Sequence, residues 1–218
     1  MLETSLNQFD TKGRLHMTDE MDGKDLAERV RLIECMLAEG RRKCESWGWT
    51  FVLWGVAYYV AFFWSQWGRH SSGLYAWPVT MITASILTVV GFMRQDNAPN
   101  TTMGRAIGSI WMATGISMFV LFFSLSFSGQ MTSPRFFLAG APAILGLANA
   151  ACGLTLKWKA EIVCGIVWWV ASVIACFGSP SMAINAFLVG IFLCQIVFGI
   201  YAMILESRRR SGNGVAHA

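Results

Sequence analysis

Two apolar runs with a single short turn between them occupy positions 136–177, where the chain reads FFLAGAPAILGLANAACGLTLKWKAEIVCGIVWWVASVIACF. Each run has about 20 residues, the length that an α-helix needs to cross the hydrocarbon core of a bilayer. Lys157 and Lys159 lie at the turn. Because the connection is so short, the two helices must lie side by side in opposite directions. This stretch therefore predicts a transmembrane helical hairpin.

Four more runs of this kind complete the pattern, and the connectors between all of them are short. The charged residues between 47 and 205 fall at the ends of the runs or between them. We therefore predict an all-α, polytopic membrane protein with six transmembrane helices arranged as three antiparallel hairpins, preceded by an N-terminal cytoplasmic amphipathic helix. The six predicted spans cover residues 47–67, 74–93, 106–127, 136–156, 158–177 and 182–205.

The composition agrees with a membrane protein. Hydrophobic residues make up 55% of the 218 residues and charged residues 14%, whereas soluble domains carry about 25% charged residues. So few charges cannot cover a globular surface of ordinary polarity. The composition excludes a secreted disulfide scaffold, a disordered chain and a typical cytosolic enzyme.

The Lys and Arg residues near the span ends predict the orientation. Ten of them fall on the side that holds both termini and two, Arg69 and Arg135, on the other. Since basic residues accumulate on the cytoplasmic side, we expect both termini in the cytoplasm and the protein in the cytoplasmic (inner) membrane. The first 46 residues contain no apolar run typical of a signal peptide.

The regions outside the spans divide into three parts. Residues 1–17 show no periodicity and predict a mobile tail, and residues 206–218 predict a basic and then flexible tail. Residues 18–46 predict an amphipathic helix, because apolar residues recur in it at intervals of four, three and four. We call this line of residues the seam; its members are Leu26, Val30, Ile33 and Leu37.

Two interpretations of the seam remain open. The helix lies on its own bundle or on the lipid headgroups, or it forms a short coiled coil with another copy of the chain. In a coiled coil, Arg29 and Glu34 would flank the seam and pair between parallel helices. Two heptads are too short to hold a dimer alone, so the spans would have to contribute.

Within the spans, the sequence offers little chemistry. They contain no Asp, Arg or His, and Glu161 and Lys159 lie within a turn of a span end, where we expect both side chains to reach the aqueous surface. The six cysteines have no metal-site spacing. We therefore expect no enzyme activity, no catalytic residues, no metal, no cofactor, and a core that is insensitive to pH. The basic run at 208–210 is interpreted as a topology anchor and not as a nucleic-acid site.

The polar and small residues within the spans give two weaker signals. Tyr58, Asn149 and Gln195 are candidates for interhelical contacts or for the lining of a small neutral cavity. In the fourth span, small residues predict a face on which another helix approaches closely. These small residues are Ala139, Gly140, Ala143, Gly146, Ala150 and Gly153.

Together these features favour a non-enzymatic membrane protein with a structural, sensory or accessory role exerted through association with protein or lipid. The partners expected are membrane lipid and a second copy of the chain or another membrane subunit. The alternative is a carrier or channel for a small neutral or lipophilic molecule, which would tolerate spans without charge. A lipid-modifying enzyme would need more acid, His or Cys residues at the interface than Glu161 and Lys159 provide.

Overall fold

The computed structural model describes residues 3–67, 73–94, 101–127 and 135–215, and every regular element in these ranges is a helix. A π-helical turn, Phe192–Val197, joins the last two α-helices into one continuous rod. The α-helices are α1 (Glu3–Ser46), α2 (Gly48–Trp67), α3 (Gly73–Arg94), α4 (Thr102–Phe127), α5 (Arg135–Thr155), α6 (Lys159–Phe177), α7 (Pro180–Ile191) and α8 (Phe198–Val215).

Five helices within the described residues are long and apolar enough to cross a membrane, which indicates a multi-pass membrane protein. They are Tyr75–Arg94, Thr102–Leu125, Arg135–Thr155, Lys159–Phe177 and Pro180–Ser211, and they match the last five predicted spans. Helix α2 occupies the first predicted span and carries no charge, but its four tryptophans and two tyrosines lower its hydropathy. The fold is thus shown as a helical bundle with five candidate spans.

The core lies around α5, α6 and the rod formed by α7 and α8. In the candidate spans, 56% of the α5 window is buried, against 17% for α3 and 11% for α4. Trp168, Ile191 and Leu156 are among the largest fully buried side chains. Helices α3 and α4 are therefore peripheral and present most of their apolar surface to the surroundings.

Helices α5 and α6 form the predicted hairpin, and the turn between them has a defined geometry. The Trp158 N–H donates to the Gly153 carbonyl at 2.8 Å, and the Lys157 N–H donates to the Leu154 carbonyl at 3.3 Å. Lys157 has φ 50°, in the left-handed region. This combination is a Schellman motif, which satisfies the last carbonyls of α5 and reverses the chain within three residues.

The predicted small-residue face of α5 is confirmed where it meets α6. A Cβ on Gly153 would lie 2.7 Å from the Ile162 nitrogen, and one on Gly165 would lie 2.9 Å from the Ala150 nitrogen. Ala143, by contrast, is exposed. The backbones of α5 and α6 therefore touch in the half of the face nearest the turn, whereas Gly140, in the other half, packs on the Leu121 side chain of α4.

Helix α1 begins at Glu3, so the helix extends further toward the N-terminus than the predicted start at residue 18. Its last turn packs on the bundle: Gly40 and Cys44 are buried, against α4 and the α5–α6 turn. The part of α1 from Asp25 to Met36 is exposed at every position. The helix is therefore attached to the bundle at its C-terminal end and projects from it.

Candidate functional site under the last turn of α1

The three predicted polar positions are all buried, but in different surroundings. Tyr58 lies among the rings of Trp54, Trp77 and Phe187. Gln195 lies in the π-helical turn, against Gly55 on α2. The structure thus places Tyr58 and Gln195 along the α2 face that meets α7, α8 and the π-helical turn.

Asn149 lies on α5, and its side chain bonds within its own helix. Its Nδ2 donates to the Leu145 carbonyl at 2.8 Å. Its Oδ1 is buried and has no hydrogen-bond partner among the residues that the structure describes. The observed Asn149 bond therefore does not join two helices.

Glu161 is the functional candidate that the sequence argument missed. Glu161 is fully buried, with a relative exposure of 0%, and neither carboxyl oxygen has a hydrogen-bond partner within the described ranges. The expectation that Glu161 reaches the aqueous surface is wrong. The reason is its position on the helix: it begins the buried stripe of α6, which continues through Cys164, Trp168 and Ala171, whereas Lys159 lies on an exposed face.

Three cysteines, each on a different helix, influence this carboxyl group electrostatically. Cys44 of α1, Cys152 of α5 and Cys164 of α6 each interact electrostatically with Glu161. We call these four residues the Glu161 cluster. Burial raises the pKa of the Cys44 thiol far above its ordinary value. Cys44 is thus an unreactive thiol as long as α1 is docked.

The last turn of α1 docks beside the cluster, at the α5–α6 turn, and polar side chains help to hold it there. Arg41 Nε donates to the Leu156 carbonyl at 2.6 Å, and Arg41 Nη2 donates to the Lys157 carbonyl at 2.7 Å. Closer to the end of α1, Glu45 Oε2 lies 3.0 Å from Arg209 Nη1 of α8. The turn is therefore tied to both the α5–α6 hairpin and the end of α8.

The cluster has no arrangement typical of a metal centre or a nucleophile–base pair. Within the described residues, no group of three or more His, Cys, Asp and Glu side chains could hold a metal ion, and all six cysteines are free. What the site offers is a buried carboxyl group without a counter-ion. Such a group can bind and release a proton, and it responds strongly to the entry of water.

A sequence signal for this site existed. The buried stripe of α6 has helical spacing and consists of Cys164, Trp168, Ala171 and Ala175. Continuing the same spacing back to the start of the helix reaches Glu161. No protein-family model matches the chain, and neither the curated proteins nor the solved structures contain a match to it.

Proposed function

We propose that this chain is a non-enzymatic membrane protein of the cytoplasmic (inner) membrane that acts through association, with α1 as its contact. In this proposal α2 is a sixth span, the six spans form three hairpins, and both termini lie in the cytoplasm. The ten-to-two distribution of basic residues supports this orientation. The absence of charge from α2 supports its insertion.

The observation that supports the proposal most strongly is that the seam of α1, continued to Gly40 and Cys44, has one part buried on the bundle and another part exposed. Gly40 and Cys44 continue the seam and are buried on the bundle. Further up the same line, Ile33 is 58% exposed, Val30 49% and Leu26 64%, with Leu37 half-buried between the two halves. The bundle therefore holds the helix in place and leaves most of its seam free for a partner.

The chemistry beside the seam favours a second copy of this chain as the partner. In a parallel pair, Arg29 of one helix would face Glu34 of the other, twice by symmetry. Each fully buried Leu or Ile side chain stabilises such a contact by about 1.5–3 kcal/mol. Because two heptads are too short to hold a dimer alone, the exposed apolar faces of α3 and α4 would add contact area within the membrane.

The test compares two variants of α1 with the unmodified protein in lipid nanodiscs. Val30→Asp combined with Ile33→Asp places charges on the seam, whereas Arg31→Glu changes a charge on an exposed position beside it. We expect the double variant to lower the native mass to that of one chain and to make residues 25–39 sensitive to protease. Arg31→Glu should leave both properties unchanged.

Two results would contradict the proposed self-association. One is an unmodified protein that already has the mass of a single chain. The other is a double variant in which the segment becomes protease-sensitive while the mass stays the same, because the seam would then rest on lipid.

A further inference from the structure

The association proposed above makes no use of the carboxyl group of Glu161. A fully buried glutamate without a hydrogen-bond partner is rare in proteins, because the ionised form loses its hydration and gains nothing in return. The penalty for a buried, uncompensated charge is large compared with the stabilisation that one ordinary hydrogen bond provides. The carboxyl group of Glu161 therefore needs a bound ligand that removes or balances its charge.

The groups around Glu161 provide little compensation for a negative charge. The titratable groups that interact electrostatically with it are Cys44, Cys152 and Cys164, and none of these is a cation. Glu161 lies in the first turn of α6, where the helix dipole favours an anion weakly. This gain is smaller than the cost of burying the charge, so the docked site favours the neutral, protonated form of the carboxyl group.

Four basic side chains near the α5–α6 turn are engaged elsewhere or exposed. Arg41 donates to the carbonyls of the α5–α6 turn, and Arg209 pairs with Glu45. Lys157 and Lys159 are exposed. Among the described residues, no basic side chain therefore forms an ion pair with Glu161 while the last turn of α1 is docked.

We propose that Glu161 is a proton-binding site and that the last turn of α1 is its cover: the cover docks on the neutral carboxyl group and lifts when the proton leaves. Loss of the proton gives the carboxylate and releases H⁺ to water, and the carboxylate then requires water that only an opened site admits. Raising the pH should therefore favour the lifted form of α1, and lowering the pH the docked form.

The attachments of the surrounding helices indicate why α1 is the element that moves. Helix α5 meets α6 through backbone contacts at Gly153 and Gly165, which leave no room for one helix to slide on the other. The last turn of α1 packs through Gly40 on Met103 and Leu156. It has no backbone contact of this kind with α6, and its polar attachments, Arg41 and the Glu45–Arg209 pair, can be replaced by water. Cys44 lies on this turn and is buried while the turn is docked, so its accessibility to a thiol reagent measures the lifting of the cover.

The experiment uses two native thiols on the same helix. Cys35 is exposed and Cys44 is buried. We divide the rate at which iodoacetamide labels Cys44 by the rate at which it labels Cys35, both measured by peptide mass spectrometry in nanodiscs. A low ratio means that the last turn of α1 is docked, and the Cys35 rate corrects for the general effect of pH on thiols. We expect this ratio to rise at least tenfold between about pH 5 and about pH 9, with a slope of at most about tenfold per pH unit, the limit for one linked proton.

Variants of single acids identify the group responsible. Glu161→Gln has no proton to lose, and the ratio should stay low at every pH. Glu39→Gln removes an exposed acid from α1 and should behave like the unmodified protein. If Glu161→Gln fails to fold, judged by its native mass and thermal unfolding, Glu161→Met replaces it, since it keeps the length of the side chain without polar atoms.

A ratio that stays flat in the unmodified protein, or that rises equally in the Glu161 variants, would overturn the proton site. The seam variant Val30→Asp with Ile33→Asp separates this proposal from the proposed self-association. It should lower the native mass and keep the pH-dependent ratio, because its substitutions lie outside the Glu161 cluster.

Discussion

Two arginines that the sequence identifies only as topology markers have specific structural roles. Arg135 Nε donates to the Ala175 carbonyl at 3.1 Å, and its Nη2 donates to the Cys176 and Gly178 carbonyls at 2.8 Å. Arg41 does the same for the end of α5 at the opposite end of the hairpin. Both guanidinium groups thus satisfy carbonyls that a helix C-terminus leaves without intrahelical donors.

The pair formed by Glu45 and Arg209 predicts a pH-dependent effect of a single substitution. Burial raises the pKa of the Glu45 carboxyl, and Arg209 opposes the increase. Arg209→Gln should therefore raise that pKa further and leave a buried charge without its partner at neutral pH. Because Arg209 is half exposed and screened by water, we expect a loss of about 1 kcal/mol.

The sign of the pH dependence follows from the direction of this shift. In acid, Glu45 is neutral and needs no counter-ion, so the variant and the unmodified protein should differ little. As the pH rises, the variant loses stability relative to the unmodified protein. Thermal unfolding in detergent at about pH 5 and about pH 8 measures the difference, with Arg208→Gln, at an exposed neighbouring position, as the control. An equal loss at both pH values would contradict the assignment.

At the scale of single residues, the sequence predicts where charges lie but not which way they point. Glu161 and Lys159 are two positions apart at the start of the same helix, and both were expected to reach water. A separation of two residues turns a side chain by about 200° around a helix, so one is exposed and the other buried. Which of them is buried depends on the side from which α5 approaches α6.

At the scale of helices, the α5–α6 hairpin shows how small residues set the distance between neighbours. A Cβ on Gly153 would lie 2.7 Å from the Ile162 nitrogen and 3.1 Å from the Glu161 carbonyl carbon. Because both contacts are with backbone, the helices would have to separate to accommodate it. Gly115, in the middle of α4, has open space around its Cα, with nothing within 4 Å of an added Cβ.

This contrast gives a paired prediction. Gly153→Ala should destabilise the protein by about 1–3 kcal/mol, the range for overpacking a tight contact. Gly115→Ala should be neutral or stabilising by up to about 1 kcal/mol, because alanine favours the helix and meets no neighbour. Unfolding in sodium dodecyl sulfate measures both, and a similar loss in the two variants would show that the α5–α6 distance is not set at Gly153.

The boundaries of most helices follow from hydrophobic length, but two features of the elements do not. The π-helical turn FLCQIV contains no glycine or proline, so its sequence gives no sign of the extra residue in the turn. The start of α1 at Glu3 is a second case, because residues 3–17 have no apolar periodicity to predict a helix.

At the scale of the whole molecule, the sixth span and the orientation of the bundle are proposals that a topology experiment can test. Five candidate spans are shown, and the proposed sixth, α2, is rich in tryptophan and tyrosine. Aromatic side chains of this kind settle at membrane interfaces. The proposed topology predicts that a C-terminal reporter active only outside the cytoplasm stays inactive, and that the same reporter placed in the connector at 68–72 is active. An active C-terminal fusion would contradict either the six spans or their orientation.

The attachment of α1 by its last turn has a mechanical consequence. From Glu3 to Glu39 the helix measures roughly 55 Å, at 1.5 Å per residue. A rod of this length held at one end is a lever, and a tilt of about 10° at its base carries its tip through about 10 Å. A movement at Cys44 no larger than the admission of a few water molecules would thus become, at the N-terminus, a displacement as wide as a helix.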